Sequence, residues 1–160
     1  LGMRFFDGIE SADSDDEKLV DKLFFMFKKQ KISGPHWIAI TIGDCNMYQI
    51  RDDKLITSWP LTESEEFSHR PLLLNSIPKF NEGIWDHWKH GGGEFEKGDI
   101  FILATDALAK WFLEMHEKGQ KPWNTLLKLK DDSDFDKFVS DLRETKKMQN
   151  DDTTLMTLNW

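Results

Sequence analysis

The sequence has little cysteine, an excess of acidic over basic residues and no long hydrophobic run, and each feature excludes a class of protein. Its only cysteine, Cys45, allows neither an internal disulfide nor a thiolate zinc cluster and fits a reducing compartment. We expect Cys45 to be a small buried hydrophobic residue. No run approaches the ~18 apolar residues of a membrane span, and the first residues lack the apolar core of a signal peptide. The sequence therefore predicts a cytoplasmic protein.

The charge balance excludes two kinds of partner. The chain has 21 Lys and Arg against 29 Asp and Glu, which gives a net charge of −8. A nucleic-acid backbone or an anionic membrane would be repelled over most of this surface, so we expect neither as a partner, whereas divalent cations would be attracted.

Length and composition indicate one globular domain. A hydrophobic content of 39%, with 12 Phe and 7 Trp, excludes a disordered chain. We expect a single domain over residues 1–160, in which residues 1–18 form a boundary or loop segment.

One stretch organises the rest. The apolar run 100–104 lies between Gly98-Asp99 and Asp106, which is typical of a buried strand. Helix-forming residues follow, with apolar side chains at helical spacing from Leu108 to Met115. Asp106 therefore stands between a strand and a helix. It either caps the helix, by accepting hydrogen bonds from free N–H groups, or acts as a ligand at the end of a core strand.

The remaining pattern is mixed. Extended segments are predicted at 19–29 (which also fits a helical stripe), 37–42, 47–50, 55–59 and 153–158, with hairpin turns at 32–35 and 51–54. Helices are predicted at 123–129 and 134–147. Between 60 and 96, prolines and glycines argue against long regular elements, and we expect Gly91 to Gly93 to be a flexible connection.

Aromatic and histidine residues in this sequence have ordinary structural explanations. We expect core positions for Trp85, Trp88, Trp111 and Trp123. His87 and His90 are three residues apart with no third ligand nearby, so we expect solvated surface positions for both.

Three aspartates share one setting, next to a predicted strand. They occur in Gly43-Asp44, Thr105-Asp106 and Asp151-Asp152. Such placement lets distant parts of the chain converge at one end of a sheet. Hard cations such as Mg²⁺ and Mn²⁺ bind oxygen ligands, keep several waters and use few protein carboxylates.

In order and spacing these segments resemble the metal-dependent type 2C serine/threonine protein phosphatases. Residues 58–67 and 71–73 are similar to a bacterial branch of that family. Residues 40–55 look like that family's strand, Gly-Asp-Ser-Arg turn and hairpin. Residues 98–108 look like its "GD, apolar run, A-T-D-G-L" segment, and residues 150–155 are similar to its closing "D-N-x-T" strand. The resemblance covers Trp37 to Leu158.

The resemblance implies an α+β fold, a four-layer α-β-β-α sandwich of antiparallel sheets flanked by helices. It implies a binuclear Mg²⁺ or Mn²⁺ centre that hydrolyses phosphoserine or phosphothreonine in a phosphorylated protein substrate. Asp106 and Asp151 match the family's metal-binding aspartates, which favours the ligand role for Asp106. Asp44 matches a turn aspartate that we expect to be structural.

The departures concern the beginning of the chain. The family's first metal aspartate lies in an Asp-Gly-x-Gly-Gly turn, to which Asp7-Gly8 corresponds in part, so Asp7 is the third candidate metal ligand. The following glycines, the long helix and the phosphate-binding arginine have no clear counterpart. We therefore expect either a shortened member or a chain that lacks N-terminal elements. The alternative function is a catalytically inactive pseudophosphatase that acts as an interaction or regulatory module.

Overall fold

The computed structural model describes residues 34–67, 75–81 and 87–160, and all of these except Gly34 and Pro35 belong to the unit His36–Trp160. Its strands are β1 (His36–Thr41), β2 (Asn46–Arg51), β3 (Lys54–Trp59), β4 (Lys89–Glu94), β5 (Ile100–Ala104) and β6 (Leu155–Asn159). Its helices are α1 (Asp106–Glu117), α2 (Trp123–Leu126) and α3 (Asp132–Glu144), with 3₁₀ turns at Ser64–Glu66 and Pro78–Asn81.

The strands form two antiparallel sheets. One sheet has the order β3-β2-β5-β6, and the other pairs β1 with β4. In the four-stranded sheet Tyr48 lies opposite Ile102, which lies opposite Thr157. The described part of the chain is therefore mixed α+β, with two antiparallel sheets and three helices, and the strands and helices predicted from residue 37 onward are confirmed within a few residues. The predicted strand at 19–29 and Asp7 lie outside the described residues.

The hairpin between β2 and β3 is set by two aspartates. Asp52 and Asp53 have φ angles of 48° and 57°, the left-handed conformation that tight hairpin turns require and that Asp tolerates better than most residues. The Asp53 carboxylate accepts hydrogen bonds from Lys121 Nζ and, at 2.8 Å, from Trp123 Nε1. The turn predicted at 51–54 is thus confirmed, and Asp53 bonds it to Lys121, before α2, and to Trp123, the first residue of α2.

The core lies between the four-stranded sheet and the helices. The predicted apolar face of α1 buries Leu108, Trp111 and Phe112. The Tyr48 ring, fully buried on β2, stacks on Phe112 with the ring centres 3.7 Å apart and the planes 13° apart. The helix-facing side of β2 and the apolar face of α1 therefore contact each other through these two rings.

The two-stranded sheet is joined to the four-stranded sheet through Gln49. This side chain accepts a hydrogen bond of 3.1 Å from Trp37 Nε1 on β1 and donates one of 3.0 Å to the Glu94 carbonyl oxygen on β4. Because Gln49 alternates with Tyr48 along β2, it points away from the helices. The described layers are therefore helices, four-stranded sheet and two-stranded sheet.

The prediction of a flexible connection at Gly91 to Gly93 is wrong, because these residues lie within β4 and pair with β1. The reason is steric. A β-carbon at Gly91 would lie 2.4 Å from Trp59 Nε1, and one at Gly93 would lie 2.9 Å from Trp37 Nε1. The glycines leave space for two indoles, which explains their presence better than flexibility does.

Other predictions for single residues have mixed outcomes. Trp111 and Trp123 are buried, and His87 and His90 are exposed, as predicted. Trp88 is only partly buried, and Trp85 lies outside the described residues. Cys45 is exposed rather than buried, because it lies in the connection between β1 and β2 rather than inside a strand. Among the helices described, none is long and apolar enough to cross a membrane.

Candidate acidic site

The topology brings the three predicted aspartate segments to one edge of the four-stranded sheet. Asn46, the first residue of β2, pairs with Ala104, the last residue of β5, and Ala104 pairs with Leu155, the first residue of β6. Asp44 precedes β2, Asp106 follows β5 and Asp151 precedes β6. The convergence expected from the sequence is therefore present.

The charges of these residues act on one another. Burial raises the pKa of the Asp44 carboxyl, and the negative charges of Asp106 and Asp151 raise this pKa further. Asp44 Oδ2 is buried and accepts no hydrogen bond from any described residue. A buried carboxylate oxygen without a donor, beside two further carboxylates, is an arrangement that a cation would stabilise.

Asp106 is the first residue of α1, and the residue before it, Thr105, occupies the N-cap position. Asp106 Oδ1 accepts a hydrogen bond of 2.7 Å from the Ala107 N–H. The carboxylate therefore does bond a free amide of the first helical turn, although Asp106 is not the cap residue itself. This contact fixes one carboxylate oxygen and involves only that oxygen.

The Asp151 turn is held from two sides. Arg143, near the end of α3, donates hydrogen bonds from Nη2 to the Asp151 carbonyl oxygen and, at 2.9 Å, to Thr153 Oγ1. Thr105 Oγ1 donates to the Asp152 carbonyl oxygen at 3.1 Å and accepts from the Thr154 N–H at 2.9 Å. Sequence reasoning missed Arg143 and Thr105, because no spacing rule indicates which distant loop a side chain will reach.

Cys45 adjoins the acidic site but is unsuited to nucleophilic chemistry. Partial desolvation raises the pKa of its thiol, and the Asp44 and Asp106 charges raise this pKa further. The thiol is therefore protonated at neutral pH, whereas a reactive cysteine needs its thiolate. A nucleophile at this edge of the sheet would have to be something other than Cys45.

The fit to a metal ion is partial. Within residues 34–67, 75–81 and 87–160, no three His, Cys, Asp or Glu side chains form a group that could hold a metal ion. Asp7, the third predicted ligand, lies outside these ranges. Asp106 and Asp151 nevertheless offer carboxylate oxygens, and Mg²⁺ sites commonly use one or two carboxylates completed by water and substrate phosphate. The donor chemistry fits a hard cation.

An apolar cavity of about 390 Å³ adjoins the acidic site. It lies between β1 and the face of the four-stranded sheet that points away from the helices. Cys45 and Thr105 form one part of its wall, and the apolar part includes Met47, Trp59, Leu103 and Met156.

Comparisons with protein-family models, characterised proteins and solved structures give no match to this chain.

Proposed function

We propose that this chain belongs to a metal-dependent protein phosphatase of the type 2C kind, which hydrolyses phosphoserine or phosphothreonine in proteins with Mg²⁺ or Mn²⁺. The observation that carries the proposal is the convergence of Asp44, Asp106 and Asp151 at one sheet edge, where burial and then the charges of Asp106 and Asp151 raise the pKa of Asp44. Such repulsion costs stability and is relieved when a cation binds.

Asp106 and Asp151 are the proposed metal ligands in the described part of the chain, and Asp7 is the third. When bound, two such ions would neutralise phosphate charge and lower the pKa of a water to generate the nucleophile. Thr105 and Arg143 fix the backbone that carries Asp151 and so orient its carboxylate. The protonated Cys45 thiol is consistent with attack by water rather than by a cysteine.

The proposal includes the four-layer α-β-β-α sandwich. Two antiparallel sheets and three helices in the described residues support this part of the proposal. The second helical layer remains a prediction.

The proposal is tested by phosphate release from a phosphoserine peptide with Mn²⁺, with and without a chelator. We expect the chelator and Asp106→Asn each to abolish release. The matched control is Asp136→Asn, which removes an exposed carboxylate on α3 away from the sheet edge, and it should retain activity. Release that survives the chelator or Asp106→Asn would contradict the proposal.

The second candidate function is a pseudophosphatase that acts as an interaction or regulatory module. It is favoured by the absence of a three-residue metal group in the described ranges. Titration with Mn²⁺ by calorimetry separates the two candidates. Tight binding at two sites contradicts the pseudophosphatase, whereas a folded chain with neither binding nor phosphate release supports it.

A further inference from the structure

A groove of about 610 Å³ runs between α1 and the turn that links α3 to β6. Among the residues that the structure describes, its lining has five cationic side chains, those of Lys110, Lys118, Arg143, Lys146 and Lys147, and one carboxylate, that of Glu114. The whole chain has a net charge of −8. The groove therefore has the opposite sign to the molecule as a whole.

Most cations of this basic groove form no ion pair within the part of the chain that the structure describes. Lys118 Nζ lies 3.9 Å from a Glu114 carboxylate oxygen, at the limit of an ion pair. Lys110, Lys146 and Lys147 form no ion pair with any residue that the structure describes. Like charges brought together without counter-ions repel one another, and an anionic occupant would remove that cost.

Two buried donors in residues of the basic groove lack acceptors. Trp111, 5% exposed, lies along the groove, and its indole N–H has no hydrogen-bond partner among the described residues. Arg143 Nε is likewise buried and without an acceptor there. A buried donor without an acceptor destabilises the protein unless a water or a ligand supplies the missing acceptor.

The backbone adds a further observation at Lys146. This residue has a φ of 54° and follows the end of α3, where the Lys147 N–H bonds back to the Leu142 carbonyl oxygen. Glycine is the usual residue at such a left-handed helix end, because other residues are strained there. A lysine at this position places a charge at the groove at a cost in stability.

The basic groove reaches residues that are next in sequence to two aspartates of the acidic site. Ala107, next to Asp106, and Asn150, next to Asp151, both line it. A protein segment whose phosphorylated residue lay at the aspartates could therefore continue into the groove.

We propose that the basic groove binds an acidic segment of the protein substrate, next to the phosphorylated residue. The identity of this occupant depends on the proposed phosphatase function. A short acidic peptide would contact only the groove, whereas a long nucleic acid would also meet the negative surface around it.

The binding test uses a fluorescein-labelled, unphosphorylated peptide of alternating Glu and Ser, with the full 160-residue chain, in chelator, followed by fluorescence anisotropy. The groove variant is Lys110→Glu with Lys147→Glu. The matched control is Lys128→Glu with Lys137→Glu, which changes the net charge equally at two exposed lysines outside the groove. Melting curves of both variants establish that they are folded.

We expect the groove variant to weaken peptide binding about tenfold or more, and the control to change it by less than about threefold. No binding to the unaltered chain, or equal weakening in both variants, would overturn the inference. So would tighter binding of a single-stranded DNA of equal charge, which would indicate a nucleic-acid groove.

Failure of this inference can be distinguished from failure of the phosphatase proposal. Because the probe has no phosphate and the buffer no divalent cation, a lack of phosphatase chemistry does not affect binding. A second experiment measures phosphate release from phosphopeptides with acidic and with neutral flanking residues. Equal kcat/KM for phosphopeptides with acidic and with neutral flanks would overturn the acidic-segment inference and leave the phosphatase proposal intact.

Discussion

Tyr48 Oη on β2 donates a hydrogen bond of 2.8 Å to the carbonyl oxygen of Ala109 on α1, across the buried core. This bond joins the middle of the four-stranded sheet to the first turn of the helix that begins with Asp106. The position of Asp106 is thereby set by the core as well as by the end of β5.

Tyr48→Phe removes this hydrogen bond and keeps the ring stacked on Phe112. We expect a loss of about 1 kcal/mol in the free energy of unfolding, because the net value of a buried neutral hydrogen bond is of that size. Phe112→Ala, which removes the stacking partner, should cost about 3–5 kcal/mol. Urea unfolding measures both losses, and an unchanged free energy of unfolding in Tyr48→Phe would show that the hydroxyl does not stabilise the fold.

Asp44→Asn should stabilise the metal-free protein. Since burial and the Asp106 and Asp151 charges raise the pKa of Asp44, its ionised form costs stability at neutral pH. Because solvent screens this partly exposed carboxylate, we expect only a small gain in the free energy of unfolding, about 0.5–1 kcal/mol, or about 1–4 °C in Tm. Thermal melts in chelator measure this gain.

The same experiment with Mn²⁺ examines the acidic site itself. Mn²⁺ should raise the Tm of the unaltered chain, and raise it less in Asp44→Asn, because one attracting charge is gone. Asp136→Asn is the control and should behave like the unaltered chain in both buffers. A lower Tm for Asp44→Asn in chelator would contradict the electrostatic interpretation.

Asp99 provides a pH-dependent prediction. Its buried carboxylate accepts two hydrogen bonds of 2.7 Å from Arg51, which hold its pKa well below the ordinary range. The folded chain therefore binds this proton less tightly than the unfolded chain does. The resulting stability is present above the unfolded carboxyl pKa of about 3.9 and is lost as the pH falls below it.

We expect Asp99→Asn to lower the free energy of unfolding by about 2–3 kcal/mol at pH 7, because charged hydrogen bonds at a buried site are broken. The difference in the free energy of unfolding between this variant and the unaltered chain should become smaller as the pH falls below about 4. Urea unfolding over a pH series measures this trend. A difference that stays constant down to low pH would show that the Asp99 charge is not the source of the stability.

The spacing of apolar residues in the sequence predicted these strands and helices, because each has an apolar side that packs against the core. The run at 100–104 and the helical spacing from Leu108 are clear in the sequence, and both elements form there. Alternation also identified β2 and β3. The Gly91 to Gly93 segment could not be recognised as a strand, because the packing that specifies it comes from Trp37 and Trp59, which are distant in the sequence.

The acidic site was predictable only in part. A carboxylate after or before a core strand is visible in the sequence, and Asp44, Asp106 and Asp151 do converge. The basic groove was not predicted, because its cations come from α1 and from the turn after α3, and only the fold brings them together.

Gly91→Ala should destabilise the two-stranded sheet. The new β-carbon would meet Trp59 Nε1 at 2.4 Å, so we expect a loss of about 1–3 kcal/mol from overpacking. Trp59→Leu in the same chain should recover part of that loss, because the smaller side chain leaves space. A double-mutant cycle by urea unfolding measures this coupling, and strictly additive effects would contradict the steric explanation.

Arg143→Gln should loosen the Asp151 turn, since the bonds from Nη2 to the Asp151 carbonyl oxygen and Thr153 Oγ1 are lost. Residues that orient metal ligands typically affect metal affinity by about 10–100-fold. We expect weaker Mn²⁺ binding by calorimetry, in the lower part of that range. The control, Lys137→Gln on the same helix, removes one positive charge without touching the turn and should leave Mn²⁺ affinity unchanged.

The packing of the Trp37 and Trp59 indoles over β4 also predicts a sequence pattern in related proteins. An alanine in place of Gly91 or Gly93 is blocked by Trp59 or Trp37, so glycine and tryptophan should change together or stay together during divergence. A Gly-x-Gly strand combined with two upstream tryptophans therefore specifies more positions than a single aspartate does. It offers a pattern by which distant relatives of this chain could be recognised.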